Sequence, residues 1–480
     1  MTRRPRAVRN LAVLTGGAVM SRLLGFVAFA HLARVLPARQ YGAVEVAVAL
    51  SLFFGLVVEF GLTPIGAREI AKDARRLTEL AGEVPAARLL LSLVAIPLMI
   101  LIAYPMTEDA GGRLVVWLFA AALFALPWIQ RWIFQGLERM AWIAAGDVIR
   151  GAVFAVLVLW LVRRSGDLLL VGMAEIAAAV AVCAYFFAAQ RRVVPPRFSP
   201  HPERLTRLLR ETAPMGASQI VWAWNQALPV MLVAALVGTT ETAWFGAAQR
   251  IALALLVFTR LYHFNLFPTL TRRLHESPSH LADVVRPSMR LTAWGGIGVA
   301  LGLSLASQPI CVAVYGSAFA SAAPTLAILV WLFPLTLLSS HAGWSLVAQG
   351  DQRFLLVARL AGAAVTLVVG FVLVPLIGAV GAAIAMISAA LAIWAVLQKA
   401  ASRRVTRLPV LFAVLRPAAA AGGILLLLRI ANWPSVLEAA IGSGMFALTA
   451  LLLDSHLRVD LRRIAGVRGG QAVALSWREP

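Results

Sequence analysis

Of the arginines that fall within long apolar runs of this 480-residue chain, three lie deepest: Arg22, Arg250 and Arg260. A guanidinium near the centre of a spanning helix costs about 2.5–3.5 kcal/mol on insertion scales unless it faces protein, water or headgroups. The chemistry such residues suit is the holding of a diphosphate, through charge-assisted hydrogen bonds that a planar fork makes two at a time. Arg22 lies roughly 16 Å into the first run. In the eighth run Thr242, Gln249 and Arg260 nearly coincide on a helical wheel, with Arg250 and His263 flanking them, so that helix presents one polar arc. The opposing possibility is that Arg250 snorkels to one headgroup layer and Arg260 to the other.

A second set is uncharged. Trp222, Asn225, Gln226 and Pro229 follow the i, i+3, i+4, i+7 spacing of one helical face. An indole can cover the apolar side of a sugar ring while amides bind its hydroxyls, and the same face serves equally as interhelical glue. The acidic candidates are Glu45, Glu59, Asp147 and Glu175. Glu59 is the deepest, placed either to titrate in an ion-coupled cycle or to pair with an intramembrane arginine.

Covalent chemistry finds no support. HExxH, GxxxxGK[ST] and GxSxG are absent, the seven histidines show no metal spacing, and Cys183 and Cys311 stand far apart without a second ligand. No cofactor and no metal are expected. The small residues Gly17, Ser21 and Gly25, and the pair Gly295-Gly296, read as close helix packing.

The elements that must position these residues follow from composition. The chain is 61% hydrophobic and 14% charged, against roughly 25% charged for a globular average, which excludes a soluble domain. Its net charge of +21 is spread over loops between apolar runs, so it marks topology and not a nucleic-acid surface. Fourteen runs of spanning length are expected at 11–35, 42–63, 87–105, 114–134, 144–162, 168–189, 213–237, 242–268, 289–306, 321–347, 354–374, 378–398, 410–430 and 435–453. With the N-terminus inside, 33 Lys and Arg fall on the inner side and 6 on the outer. That bias places both termini in the cytoplasm. The basic start followed by an apolar run imitates a secretory signal, but Arg22 in its middle argues for an uncleaved first helix.

The loops 68–86 and 190–212 carry apolar residues at helical spacing opposite basic ones, Ile70, Leu80 and Val84 in the first and Leu205, Leu208 and Leu209 in the second, as helices resting on the inner leaflet would. The halves repeat. Tyr41-Gly42, Pro64 and Arg68 match Phe245-Gly246, Pro268 and Arg272 at one offset of 204, and Gln135-Gly136 recurs as Gln349-Gly350. An even number of helices between matching points makes the repeats parallel, with a cavity between two lobes. The expected organisation is an N-terminal lobe at 1–190, a cytoplasmic linker at 191–212, a C-terminal lobe at 213–400, and two further helices with a basic tail at 401–480.

The opening of the chain resembles the Wzx-type polysaccharide flippases of the multidrug, oligosaccharidyl-lipid and polysaccharide exporter superfamily. The residues that carry the resemblance are Arg9-Asn10, Ser21-Arg22-Leu23-Leu24-Gly25-Phe26, Ala33-Arg34-Val35-Leu36-Pro37, Gln40-Tyr41-Gly42, Phe60-Gly61-Leu62, Arg68-Glu69-Ile70 and Gln135-Gly136-Leu137-Glu138-Arg139. The stretch from Ser21 to Phe26 is also similar to the first helix of the MurJ branch, where an arginine is held to face the cavity. Tyr41-Gly42 departs from that branch, which has an acidic-aromatic pair there.

The resemblance implies a two-lobed bundle in the inner membrane that moves an undecaprenyl-pyrophosphate-linked oligosaccharide by alternating access for surface polysaccharide biosynthesis. Its partners would be membrane lipid and the polymerase or glycosyltransferases of the same pathway. On that reading Arg22, Arg250 and Arg260 hold the diphosphate, Trp222, Asn225 and Gln226 meet the glycan, and Glu59 is the coupling candidate. The runner-up is an ion-coupled small-molecule exporter of the same fold, which should line its cavity with carboxylates. A membrane glycosyltransferase would need a large outer loop or an acidic pair at one face, and the longest outer loops hold only about fifteen residues.

Overall fold

A computed structural model of the chain describes residues 3–276, 278–406, 410–431, 435–454 and 456–458. Among them there is helix and no strand. The α-helices are α1 (Arg3–Val35), α2 (Ala38–Glu59), α3 (Leu62–Lys72), α4 (Leu77–Ala103), α5 (Ala110–Ala122), α6 (Arg131–Gly136), α7 (Met140–Leu161), α8 (Leu168–Arg191), α9 (Pro202–Val237), α10 (Thr239–Glu276), α11 (Pro278–Leu305), α12 (Ser307–Tyr315), α13 (Ala323–Leu329), α14 (Leu332–Gln349), α15 (Arg353–Arg404), α16 (Val410–Ala431) and α17 (Ser435–Leu453).

Eleven helical stretches among the described residues are long and apolar enough to cross a bilayer. Inside a bilayer the backbone must satisfy its own hydrogen bonds, which is why an apolar chain of this kind resolves into helices. α15, at 52 residues, breaks at Ile377 and Gly378 and so supplies two crossings. α11 and α12, bent by 67° at their junction, are long and apolar enough when taken together, and Ala413–Leu428 is a shorter apolar stretch. Each of the fourteen expected runs falls on one of these apolar helical stretches, and the chain is a multi-pass, all-α membrane protein.

The breaks have local causes. Gly378 takes φ 57° and ψ −134°, a conformation open mainly to glycine, and the Glu241 carboxylate accepts the freed N–H of Ala379 at 2.8 Å. Between α2 and α3, Phe60 (φ 43°) and Gly61 (φ 74°) are both left-handed. The Gly61 N–H donates to Gln219 Oε1 at 3.1 Å, so the turn is held by α9.

The described residues group into two compact units. The first draws on Met1–Arg250, Cys311–Ala322 and Ala363–Ala385, the second on Ile251–Ile310, Ala323–Gly362 and Met386–Pro480. In the first unit α1 lies along α7 through small residues. A Cβ on Gly17 would meet that of Ala144 at 2.6 Å, and one on Gly151 would meet Ser21 Oγ at 2.9 Å, while Gly25 has open space around it. α2 meets the start of α10 at Gly42, where an added Cβ would come within 1.7 Å of the Thr239 carbonyl oxygen. The second unit is built on α11, with α14 on one side and α16 and α17 on another. The indole N–H of Trp294 donates there to buried Asp454 at 3.0 Å.

The two amphipathic stretches behave differently from a leaflet-bound helix. Ile70, Leu80 and Val84 are buried beside Trp132 and Phe134, and Leu205 and Leu208 join the same cluster. Their apolar faces pack on protein. The basic residues opposite them remain outside, and the stretch read as a linker contributes the first turns of α9 from Pro202 onward.

Candidate functional site

In the first unit Arg250 lies at the centre of a built polar site. It is carried by α10 and projects to α2, where one terminal nitrogen donates to both carboxylate oxygens of Glu45, at 2.7 and 2.8 Å. Glu45 is nearly inaccessible, with 6% of its side chain exposed against 23% for Arg250. Gly246 makes room for the Glu45 side chain, since a Cβ there would lie 2.6 Å from Glu45 Cγ. The guanidinium stands 3.5 Å above the ring of Phe29 on α1, a cation–π contact that strengthens when desolvated. Its buried Nε has no hydrogen-bond partner.

Aromatic rings continue this site. Phe29 meets Tyr41 edge-on at 6.3 Å and stacks on Phe154 at 5.9 Å. Tyr41 meets Phe319 at 5.2 Å, and Tyr315 packs on both Phe26 and Phe319. The Tyr315 hydroxyl donates to the Ala247 carbonyl at 3.0 Å. Phe26 and Phe29 are four and seven residues beyond Arg22, hence on its side of α1. Arg22 is exposed and lies two turns, about 10 Å, along the helix from Phe29. One side of α1 thus carries a guanidinium of its own and, two turns on, the ring that supports a second.

One end of this unit is stitched by charge. Arg34 donates to the Val314 carbonyl at 3.0 Å and also to Ala313. Arg39 pairs with Glu108 at 3.0 Å. Glu108 in turn accepts the Thr239 N–H at 2.9 Å, capping α10 where four N–H groups would otherwise lack partners.

The other expected residues are placed as follows. Arg260 is exposed on α10, ten residues beyond Arg250 and so about 15 Å along the helix. Trp222, Asn225 and Gln226 are half-buried on α9. The Asn225 amide donates back to the Val221 carbonyl at 2.9 Å, and the α9 ring that packs on an aromatic of α2 is Trp224, 5.5 Å from Phe53. Glu59 is half-buried at the end of α2, within electrostatic reach of Arg88. Asp147 pairs with Arg131, and Glu175 with Arg150. Both cysteines are free thiols.

Two polar features escape a sequence reading. Arg88, which counts as a loop arginine by position, is 4% exposed and is held by Thr63 Oγ1 at 2.8 Å and the Ile129 carbonyl at 3.0 Å. In the second unit His263 and His341, both fully buried, are joined to each other and, through Ser288, to Tyr262. His263 is visible as a flank of the polar arc on its helix; His341, alone in an apolar run, gives no signal.

Comparison with known proteins fits this architecture. A family model described as polysaccharide biosynthesis protein matches residues 7–274, more than half of the chain. "Putative O-antigen transporter" of Escherichia coli strain K12 is 24% identical over 173 residues, a stretch covering 35% of this chain and 41% of that protein. Among solved structures, the lipid II flippase MurJ in an inward closed conformation superposes with a TM-score of 0.76 at 13% identity, over 94% of this chain and all of that one. An inward-facing multidrug resistance MATE family transporter of the MOP superfamily gives 0.60 at 15% identity, over 82% of this chain and 98% of the other. The resemblance carried by the N-terminal motifs and the matched family model agree: the chain belongs to the polysaccharide biosynthesis protein family.

Proposed function

We propose that this protein is a flippase, which carries an undecaprenyl-pyrophosphate-linked oligosaccharide across the inner membrane by alternating access for the building of surface polysaccharide. The observation that carries the reading is the ladder on α1: exposed Arg22, and two turns on Phe29 beneath Arg250. A diphosphate crossing a region of low dielectric needs its charge matched at each depth. Arg22 offers a first partner, Arg250 a second once it exchanges Glu45 for phosphate, and Arg260 a third further along α10. Trp222, Asn225 and Gln226 face the glycan in this scheme, Glu59 is the coupling carboxylate, and residues 1–190 and 213–400 are the two lobes that rock, with both termini cytoplasmic. Pathway enzymes that build and polymerise the glycan are its partners.

An ion-coupled exporter of cationic compounds fits less well. Two of the carboxylates in spanning helices are already answered, Glu45 by Arg250 and Glu175 by Arg150, and the exposed charges on the proposed path, Arg22 and Arg260, are positive. The test is a leaflet-specific assay of fluorescent lipid-linked oligosaccharide in proteoliposomes. Arg22→Ala and Arg260→Ala should abolish translocation with insertion and abundance unchanged, and Lys at either place should restore only part of it, because it lacks the two-pronged geometry. Normal flipping by both Ala variants would reject the arginine path.

A further inference from the structure

The second unit holds a chain of hydrogen bonds with no place in the scheme above. Tyr262 OH lies 2.6 Å from Ser288 Oγ, which lies 2.7 Å from His341 Nε2. His341 Nδ1 lies 3.1 Å from the Leu337 carbonyl and 3.4 Å from His263 Nε2, and His263 Nδ1 lies 2.9 Å from the Thr259 carbonyl. The two imidazole rings meet edge-on with centroids 4.7 Å apart. Three helices, α10, α11 and α14, each give at least one member.

Two carbonyls fix the direction of this chain. A carbonyl only accepts, so His263 Nδ1 and His341 Nδ1 both carry hydrogen in the neutral state. His341 Nε2 then accepts from Ser288, Ser288 accepts from Tyr262, and His263 Nε2 accepts a share of the His341 Nδ1–H. Every donor has an acceptor, and the one place left for a further proton is His263 Nε2. A proton arriving at Tyr262, the half-buried end, can be passed along. Tyr262 gives its own hydrogen to Ser288, Ser288 gives its hydrogen to His341 Nε2, and His341 Nδ1 gives its hydrogen to His263 Nε2. The links among Tyr262, Ser288, His341 and His263 reverse, the bond from His341 Nδ1 to the Leu337 carbonyl is given up, one proton has been taken up, and the charge rests on His263 with the Thr259 carbonyl accepting from its other nitrogen. A second proton would put two cations in contact, so the pair takes one.

The surroundings decide when it is taken up. Among the described residues no carboxylate joins the two histidines in a cluster. On α10 the nearest charge is Arg260, one turn before His263. On α11, Asp283 and Arg286 are exposed and Arg290 is half-buried, while α14 carries His341 alone. On α15, Arg359 is half-buried, with Arg353, Lys399, Arg403 and Arg404 exposed; α16 carries exposed Arg416. Asp454, after α17, is held by Trp294 and the Leu457 N–H. Asp351, before α15, is half-buried and pairs with Arg353, and Glu438 on α17 is half-buried. Among the described residues the half-buried charges on α11 and α15 themselves are cationic, and no carboxylate is hydrogen-bonded to either imidazole to balance an imidazolium there.

We propose that His263 and His341 form a one-proton site, loaded through Tyr262 and Ser288, whose charging is coupled to an anion arriving at Arg260. The anion's identity as a lipid diphosphate rests on the flippase reading; the proton site rests on the relay alone. By reciprocity, an anion that favours the proton is itself bound more tightly when the proton is present, so its affinity should rise up to tenfold per pH unit as pH falls through the histidine range.

The experiment uses the full chain in lipid nanodiscs with farnesyl diphosphate as probe. Calorimetry in two buffers of different ionisation enthalpy should show close to one proton taken up per probe bound by the wild type, beyond the uptake seen in His263→Asn and His341→Asn. Nitrogen spectra of labelled histidine in the unaltered protein, which need no variant to fold, should show one imidazole becoming charged between pH 8 and pH 5 when the probe is bound. Equal uptake in wild type and variants, or histidines that stay neutral throughout, would overturn the proposal. Absence of flipping in the leaflet assay with histidine-dependent uptake intact removes only the flippase reading; flipping without such uptake removes only the proton site.

Discussion

Arg250 and His263 are thirteen residues apart on α10, and each brings a polar group into an apolar interior, but by opposite means. Around Arg250 the first unit supplies a full opposite charge, an aromatic face and a tight fit secured by Gly246. Around His263 the second unit supplies only dipoles: two carbonyls, two hydroxyls and a second imidazole. A matched ion pair is stable in one state and must be broken before either member can serve a ligand. The relay has two hydrogen-bonded states that differ by one proton. Fixed charge suits holding an anion, and the relay suits registering one.

The sharpest way to break the contrast is Arg250→Ala. It leaves the Glu45 carboxylate buried without its partner and should lower the unfolding free energy by about 3–5 kcal/mol, whereas Arg250→Met combined with Glu45→Gln should recover most of that loss. Denaturation in detergent followed by tryptophan fluorescence measures both. A smaller effect, about 1–3 kcal/mol, is expected for Gly246→Ala, which crowds the Glu45 side chain, against a near-zero change for Gly295→Ala, whose surroundings are open. In the relay, Ser288→Ala strands Tyr262 and one nitrogen of His341 without exposing a charge and should cost about 1–2 kcal/mol by the same assay. The least effect belongs to a third polar pair of α10, Arg273 with Glu276 at 2.8 Å. It is partly exposed, so removing either member should shift stability by under about 0.5 kcal/mol. If Ser288→Ala proves as costly as Arg250→Ala, the distinction between paired charge and relay fails.

Hydropathy and the arginine bias made the crossings legible, because a bilayer leaves an apolar run of twenty residues little choice but a helix. The partnerships were less legible, since nothing in a linear chain links Glu45 to a residue 205 positions later, although both appear among the intramembrane ionisable groups. Arg88 was misplaced for a physical reason: it opens an apolar run, where a snorkelling arginine is ordinary, and only the tertiary positions of Thr63 and Ile129 turn it inward. The faces of α3, α4 and α9 were read correctly as amphipathic. Their neighbour was not, because period alone cannot tell a lipid surface from Trp132 and Phe134. His341 lay beyond any periodic signal, for its partners come from two other helices.

The capping carboxylates bear on how the chain is made. Glu108 serves an N–H 131 residues later in the chain, and Glu241 one that comes 138 residues later. In each case the acceptor is synthesised and inserted before the helix whose bare end it will receive. Assembly can therefore follow the order of translation, each arriving segment meeting a docking point already in the membrane. A nascent chain stalled before Ala379 would hold Glu241 with that backbone donor not yet made, a state that quality-control proteases could distinguish from the finished protein.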